Sequence, residues 1–234
     1  MWRTFVVDVR AVLFAALLAF LPALKAAPDL PVILKNMDQA AAKFEGMRAK
    51  IQRVNYTAIV DDRSVETGEI RVRREKNSSV TVLLEINDPS PLILAVKGSK
   101  VEIYRSRIAQ VEEYNLSQSK NALQQAFSLG FGTSGKFLSD NYEVKALAEE
   151  AVEGEPAVKL ELIPKSPEML KRTPKIEMWV STETWTALQQ KIHEIGSGDY
   201  NLYTYSQVRL NPGLKDADLE LKIPRNTKRV FPQR

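Results

Sequence analysis

Among 234 residues there is no cysteine and a single histidine, His193. The first absence excludes disulfides, thiolate metal sites and thiol nucleophiles, and also a lipid attached through an N-terminal cysteine. With one histidine the usual histidine-bearing zinc cluster cannot be assembled, and on an alternating strand His193 reads as structural rather than catalytic. Charge of one sign is missing too. The formal net charge is +4, but residues 1–26 hold Arg3, Arg10 and Lys25 against Asp8, leaving 30 basic and 28 acidic residues in 27–234. These are interspersed and form no stripe, so nucleic acid is not an expected partner. The carboxylate pairs Glu112-Glu113 and Glu149-Glu150 are adjacent, so on a strand their side chains point to opposite faces. Two distant carboxylates doing glycosidase-like work stay open, but on balance no catalysis, metal or cofactor is expected. There is no internal repeat and no clear linker.

What is present begins with a targeting segment. Arg3 and Arg10 lead into AVLFAALLAFLPAL and then Lys25-Ala26-Ala27-Pro28, the pattern of a signal peptide. The apolar run is short of the roughly 20 residues that span a bilayer. Cleavage after Ala26 is the expectation, with Ala23 as a rival site and an uncleaved anchor as the competing reading. The remainder, 27–234, reads as one exported domain. Its composition, 44% hydrophobic and 26% charged over the whole chain, is that of a globular protein.

The most patterned stretch runs from Gly68 to Tyr114. Ile70 and Val72, then Val80, Val82, Leu84 and Ile86, then Leu92, Leu94 and Val96, then Val101 and Ile103 alternate with polar residues. A period of two marks strands with one buried face. Turn-competent clusters at Lys76-Asn77-Ser78, Asp88-Pro89-Ser90-Pro91, Lys97-Gly98-Ser99 and Arg105-Ser106-Arg107 separate the runs. No space is left for a helix between strands, so an antiparallel meander is expected. Ahead of it, Ile33, Met37, Ala40, Ala41, Phe44 and Met47 fall at helical spacing, with Gly46 helping to end the helix. A strand over Ile51–Val60 follows, with Val54, Tyr56, Ala58 and Val60 on one face. Beyond Tyr114, Ser119 can cap a helix carrying Ala122, Leu123, Ala126 and Phe127, stopped by Gly130. A short helical piece is expected at 136–139 and strands at 142–147, 158–163, 176–180, 186–195, 200–210 and 219–223, with a polar loop over 166–174. The total is close to eleven strands, with helices at the start and in the middle.

Several features invite a chemical reading and do not sustain it. Gly130 to Lys136 fits both G-x-G-x-x-G and G-x-x-x-x-G-K. Phe137 stands where a magnesium-binding Ser or Thr is needed, and a helix precedes the motif in place of a strand. Trp179 and Trp185 read as core or rim aromatics. The sequons at Asn55, Asn77 and Asn115 are common by chance. Arg74 is different. It continues the face of Ile70 and Val72, whereas Arg71 and Arg73 point the other way. A charge at the end of an apolar row either snorkels to water or finds a partner.

Taken in order, these pieces resemble the periplasmic lipoprotein-carrier family of LolA, with LolB as a relative, over most of residues 29–230. Gly68-Glu69-Ile70-Arg71-Val72-Arg73-Arg74 resembles the family's G-x-L-x-V-x-R-P strand. Asp88-Pro89, Leu92-Ile93-Leu94 and Gly98-Ser99-Lys100-Val101 resemble its P-x-x-x-I-V-S-D-G-K hairpin. Leu162-Ile163-Pro164-Lys165 is similar to its L-x-P strand end, and Leu221-Lys222-Ile223-Pro224 to its final F-x-P-P-x-G-V. Glu75 replaces the family's proline, Lys97 its turn aspartate, and the final glycine is absent around Asn226-Thr227.

The resemblance implies an α+β, mainly β fold: an unclosed antiparallel barrel of about eleven strands with a helical lid over a hydrophobic cavity. It implies that Arg74 latches the lid backbone in the closed, empty state. Ile70, Val72, Val82, Leu84, Leu94, Val101 and Ile103 would line the lipid-binding cavity, and Phe44, Met47, Leu123 and Phe127 the lid, with plain core packing as the alternative for each. The implied partners are acylated lipoproteins or another lipid, an inner-membrane lipoprotein-releasing transporter and an outer-membrane acceptor, with the protein a periplasmic monomer. An envelope sensor or scaffold of the same fold, and a carrier of a glycolipid, are the other functions the sequence allows.

Overall fold

In the computed structural model, residues 29–76, 79–115, 117, 129, 132–196 and 198–232 are described. The expected targeting segment, and Leu123 and Phe127 of the expected second lid helix, lie outside them.

Among the described residues, twelve strands form one sheet. The first helix, α1 (Leu30–Lys43), precedes β1 (Gly46–Thr57), β2 (Asp62–Arg74), β3 (Val80–Asp88), β4 (Leu92–Lys97), β5 (Lys100–Arg105) and β6 (Gln110–Asn115). Helix α2 (Gly135–Asn141) leads into β7 (Tyr142–Val152) and β8 (Glu155–Pro164). The short α3 (Pro167–Leu170) is followed by β9 (Ile176–Ser181), β10 (Ala187–His193), β11 (Tyr200–Leu210) and β12 (Lys228–Val230). The spatial order is β12-β6-β5-β4-β3-β2-β1-β11-β10-β9-β8-β7. Neighbours are antiparallel, as the meander predicted, except β12, which runs parallel to β6. Strands β7 and β12 sit at opposite ends of the order, so the sheet is unclosed.

Five expectations need correction. Strand β1 starts five residues earlier than its alternation suggested, and Gly46 is its first residue, not the stop of α1. Met47 therefore belongs to a strand and not to the helical lid. Its spacing from Phe44 fits a helix, but Met47, Ala49 and Ile51 also fit a period of two, and the chain turns extended at Phe44. At its other end β1 stops at Thr57, with Ala58–Val60 in a 3-10 turn. The loop expected over 166–174 contains α3, capped by Ser166, whose hydroxyl accepts from the Met169 amide. Residues 219–223 form no strand. Leu219 and Leu221 lie instead across Leu83, Ala95 and Ile93 on the back of the sheet, and pairing resumes only at β12.

Strand alternation assigns the two faces different chemistry. On the convex face, Arg71 bonds Glu69, Glu85 and the Asp218 carbonyl, and Arg73 bonds Glu75, Asp216 and the Leu214 carbonyl. These two arginines strap the 211–224 segment to the sheet. Further along the same face, Lys159 and Lys175 meet Glu177. The concave face is apolar and divides in two. Ile33 and Met37 of α1 and Leu138 of α2 pack on Leu160, Leu162, Ile176, Met178 and Val180 of β8 and β9. A second cluster occupies β1–β5 and β11.

Two local devices fix the geometry. The pairing of β2 with β3 shifts register between Thr67 and Gly68. A Cβ on Gly68 would lie 2.0 Å from the Glu85 carbonyl oxygen, so the strands approach only because Gly68 has none. Asn211, in the left-handed region at φ 50°, fastens the exit of α1. Its Oδ1 accepts from the Glu45 and Gly46 amides, and its Nδ2 donates to the Lys43 carbonyl.

Close backbone approach at Gly68 makes stability sensitive to that position. Gly68→Ala should lower unfolding free energy by about 3 kcal/mol in urea titration, because the clash is with backbone that cannot rotate away. Stability should also depend on pH. Burial alone would raise the carboxyls of Glu69, Glu102 and Glu177, but Arg48 and Arg71, Arg229 and Lys100, and Lys159 and Lys175 outweigh it and hold them below the ordinary 4.5. Burial lowers His193 from its ordinary 6.5, against the pull of Glu177. Each depressed value makes the unfolded chain the better proton binder, so stability is lost as pH falls. The urea midpoint should begin to fall as pH drops below 6.5, and fall steeply below 4.5 as the carboxylates protonate. His193→Gln should remove the first decline only.

Candidate functional site

The strand register stacks apolar side chains into rows across the concave face. Nearest the α1 end of the sheet, Met47, Val72, Val82, Val96, Val101 and Tyr114 are successive partners from β1 to β6. Two residues along each strand, Ala49, Ile70, Leu84, Leu94, Ile103 and Glu112 form the next row. A third holds Ile51, Gly68, Ile86, Leu92, Arg105 and Gln110. All seven residues expected to line a cavity fall in the first two rows, on one face. Ile70, Val72, Val82 and Val101 are buried, while Leu84, Leu94 and Ile103 are half-buried, as is Leu92 beside them. The result is a trough with an apolar floor whose β3–β5 part is incompletely covered. Phe44 and Met47 join the same cluster, Phe44 from the C-cap of α1 and Met47 from the floor. Tyr205 of β11, paired with Ile51, is buried there as well, and burial pushes its phenol up.

Arg74 ends the first apolar column of β2, as its alternation predicted, and it does not snorkel freely to water. Its Nη1 donates to the Ala41 carbonyl at 2.7 Å and its Nη2 to the Gly132 carbonyl at 3.4 Å. The guanidinium carbon lies 5.4 Å from the centre of the Phe44 ring. Ala41 is in the last turn of α1, where unpaired carbonyls carry the negative end of the helix dipole. One side chain from the sheet thus holds two backbone segments at once: the end of α1 and the loop before α2. Asp38, Ala41, Ala42, Arg74, Gly132, Thr133, Ser134 and Phe137 surround a recess of about 400 Å³ at this junction.

Leu129 and the residues 132–135 ahead of α2 have more anchors than the sequence revealed. Buried Gln190 of β10 donates through Nε2 to the Leu129 carbonyl at 2.9 Å. Asp38 of α1 accepts from the Lys136 amide, and Ser134 caps α2 by accepting from the Phe137 amide. Gly132 takes φ +63°, and a Cβ there would sit 2.5 Å from the Phe44 ring. The glycine-rich motif is therefore a packing device. The Lys136 amide, which a phosphate loop would offer to ligand, is committed to Asp38, and the Lys136 ammonium to Asp140. Gln190 and Asp38 gave no sequence signal because both are ordinary polar residues within patterned elements.

No protein-family model matches this chain, and no curated protein matches it in sequence. Similarity to solved structures is clear in shape and low in sequence. The structure of the Pseudomonas aeruginosa MucA/MucB complex aligns with a TM-score of 0.52 at 17% identity, covering 83% of this chain and 61% of that one. The chain thus spans about three-fifths of the length of that neighbour. An uncharacterized conserved protein from Thermus thermophilus aligns with a TM-score of 0.53 at 12% identity, covering 86% of this chain and 98% of that one. A LolA superfamily protein from Nitrosomonas europaea aligns with a TM-score of 0.40 at 12% identity, over 82% and 97%. The unclosed sheet with its covering helix is the architecture expected from the resemblance in sequence.

Arg74→Leu should free the two carbonyls it holds. Hydrogen bonds to a charged group contribute about 1.5–3 kcal/mol, so amide exchange across 129–136 and the last turn of α1 should quicken at least tenfold. Gln190→Leu should quicken exchange near Leu129 while leaving the α1 end protected.

Proposed function

We propose that this protein is a non-catalytic carrier of the cell envelope. It shelters the acyl chains of lipoproteins, or of another lipid, in the concave trough and ferries them from the inner to the outer membrane. The observation that carries the reading is the row register of β1–β6, which gathers the apolar residues onto one face, half-buried over β3–β5, next to a latch made by Arg74. Each buried CH₂ is worth about 0.8 kcal/mol, so an acyl chain leaves a bilayer only for comparable shelter. A trough of that size left open would be an aggregation-prone patch. A cover held by a few polar bonds resolves the conflict, because its opening energy is small beside that of a whole buried chain. Arg74 fits that role: its bonds go to backbone of the cover and can be exchanged for water when the cover lifts.

Export through the N-terminal segment, monomeric transit, and hand-over between a lipoprotein-releasing transporter and an outer-membrane acceptor belong to the same proposal. A second reading is favoured by one observation, the shape similarity to MucB, whose structure was determined in complex with MucA. In that reading the trough side binds a protein partner and signals envelope state.

Native mass spectrometry of the full chain, exported by its own N-terminal segment and recovered from the periplasm of a producing cell, separates the two. Acylated peptide or lipid adducts, lost in Leu84→Asp or Ile103→Asp and retained more strongly in Arg74→Leu, support the carrier. An empty protein that stays empty with donor membranes and copurifies with a stoichiometric polypeptide would sink the carrier in favour of the sensor.

A further inference from the structure

The trough changes character abruptly one row beyond Ile51. There the register pairs Arg53 of β1 with Glu66 of β2 and with Tyr203 of β11, and Tyr203 in turn with Gln190 of β10. By strand alternation Arg53 and Glu66 share the concave face with Ile51, Gly68 and Ile70. A charged pair has thus been placed on the apolar side of the sheet, where removing charges from water is expensive.

Among the described arginines, Arg53 is the one with a buried nitrogen left without a hydrogen bond. It meets Glu66 Oε2 through Nη2 alone, as an ion pair, and the Arg53 Nε and Glu66 Oε2 are both buried without a hydrogen bond. On the convex face, Arg71 and Arg73 each use Nε, Nη1 and Nη2. In another ion pair on the concave side, Arg105 donates through Nε to Glu112, whose second oxygen accepts from the Tyr114 hydroxyl. The Arg53 side chain is 33% exposed and that of Glu66 14%, so the pair is partly exposed yet mostly withdrawn from bulk water.

Resting on the carrier reading, we propose that Arg53 and Glu66 form a headgroup subsite that recognises the neutral amide linkage of an acylated peptide. The Arg53 Nη1 N–H groups, left over from the ion pair, donate to the acyl carbonyl. The Glu66 carboxylate accepts from the amide N–H. A carboxylate or phosphate headgroup could use Arg53 but would confront Glu66, and a bare hydrocarbon could use neither. The position suits the task. Arg53 lies six residues along β1 from Met47, on the order of 20 Å at strand rise, so a chain anchored here by its head lies over the apolar rows with its tail toward the Arg74 latch. Head recognition and cover opening then take place at opposite ends of one ligand.

The test uses the full chain and three probes with the same pyrene-labelled dodecyl tail: the hydrocarbon, the carboxylate, and the dodecanoyl amide of glycinamide. Affinity is read by pyrene fluorescence. The acyl amide should bind about tenfold more tightly than either other probe. In Arg53→Leu/Glu66→Leu that preference should vanish while hydrocarbon affinity is kept. An uncompensated charge is avoided in that pair, and Arg53→Gln/Glu66→Gln, with the same expectation, guards against altered packing. An amide preference that survives both double variants, or a carboxylate that outbinds the amide, overturns the subsite. Tight binding of all three probes with no preference overturns the subsite and leaves the carrier standing. Binding of none overturns both.

Discussion

A guanidinium at the end of an apolar row is the constraint around which this molecule is arranged. Arg74 is half-buried beside the apolar rows, and the carbonyls that bond it come from the end of α1 and from Gly132. Much else follows from bringing those two segments to one point. Gly132 needs a left-handed conformation and no side chain, because the Phe44 ring fills that space. The exit of α1 must be fixed in direction, and Asn211 does so with three bonds to Lys43, Glu45 and Gly46. The loop must arrive from the β10 side, where Gln190 holds Leu129.

The two faces of the sheet divide the remaining work. On the convex face arginines and lysines meet neighbouring carboxylates, and Arg71 and Arg73, which use every donor nitrogen, also bind the strap that crosses behind β3 and β4. Such exposed pairs contribute little one by one, but as a connected ladder they fix register, and register is what assembles the apolar rows on the other side. A slip of one residue would send Ile70 and Val72 to solvent and Arg71 and Arg73 into the trough.

The meander was legible because period two is a strong signal when turn residues punctuate it at short intervals. Arg74 was legible for the same reason: an interruption is visible only against a regular pattern. Met47 was misplaced because Phe44 and Met47 satisfy a helical spacing while Met47, Ala49 and Ile51 satisfy a strand spacing, and only tertiary pairing with β2 decides between them. Leu219 and Leu221 alternate like a strand but cross the back of the sheet as a strap, a choice made by Arg71 and Arg73, well over a hundred residues away. Strand β12 is three residues in a basic tail and has no pattern to read. Gln190, Asp38 and Asn211 are single polar residues whose importance lies wholly in distant backbone groups. Arg53 and Glu66 look like routine charges until the register places them on the apolar side.

The seam between β7 and β12 has a mechanical meaning. In a closed barrel, strand number and shear fix the radius, and the interior can be enlarged only by breaking a ladder. Here the sheet order ends at β7 on one side and β12 on the other, so its curvature can relax or tighten by small changes of twist spread over twelve strands, with every described ladder intact. The girth of the trough is thereby a compliant quantity, set by whatever fills it and by the cover that spans it. On the carrier proposal, a container built this way would fit its contents by bending, as a leaf spring does, and return to its resting curvature when they leave.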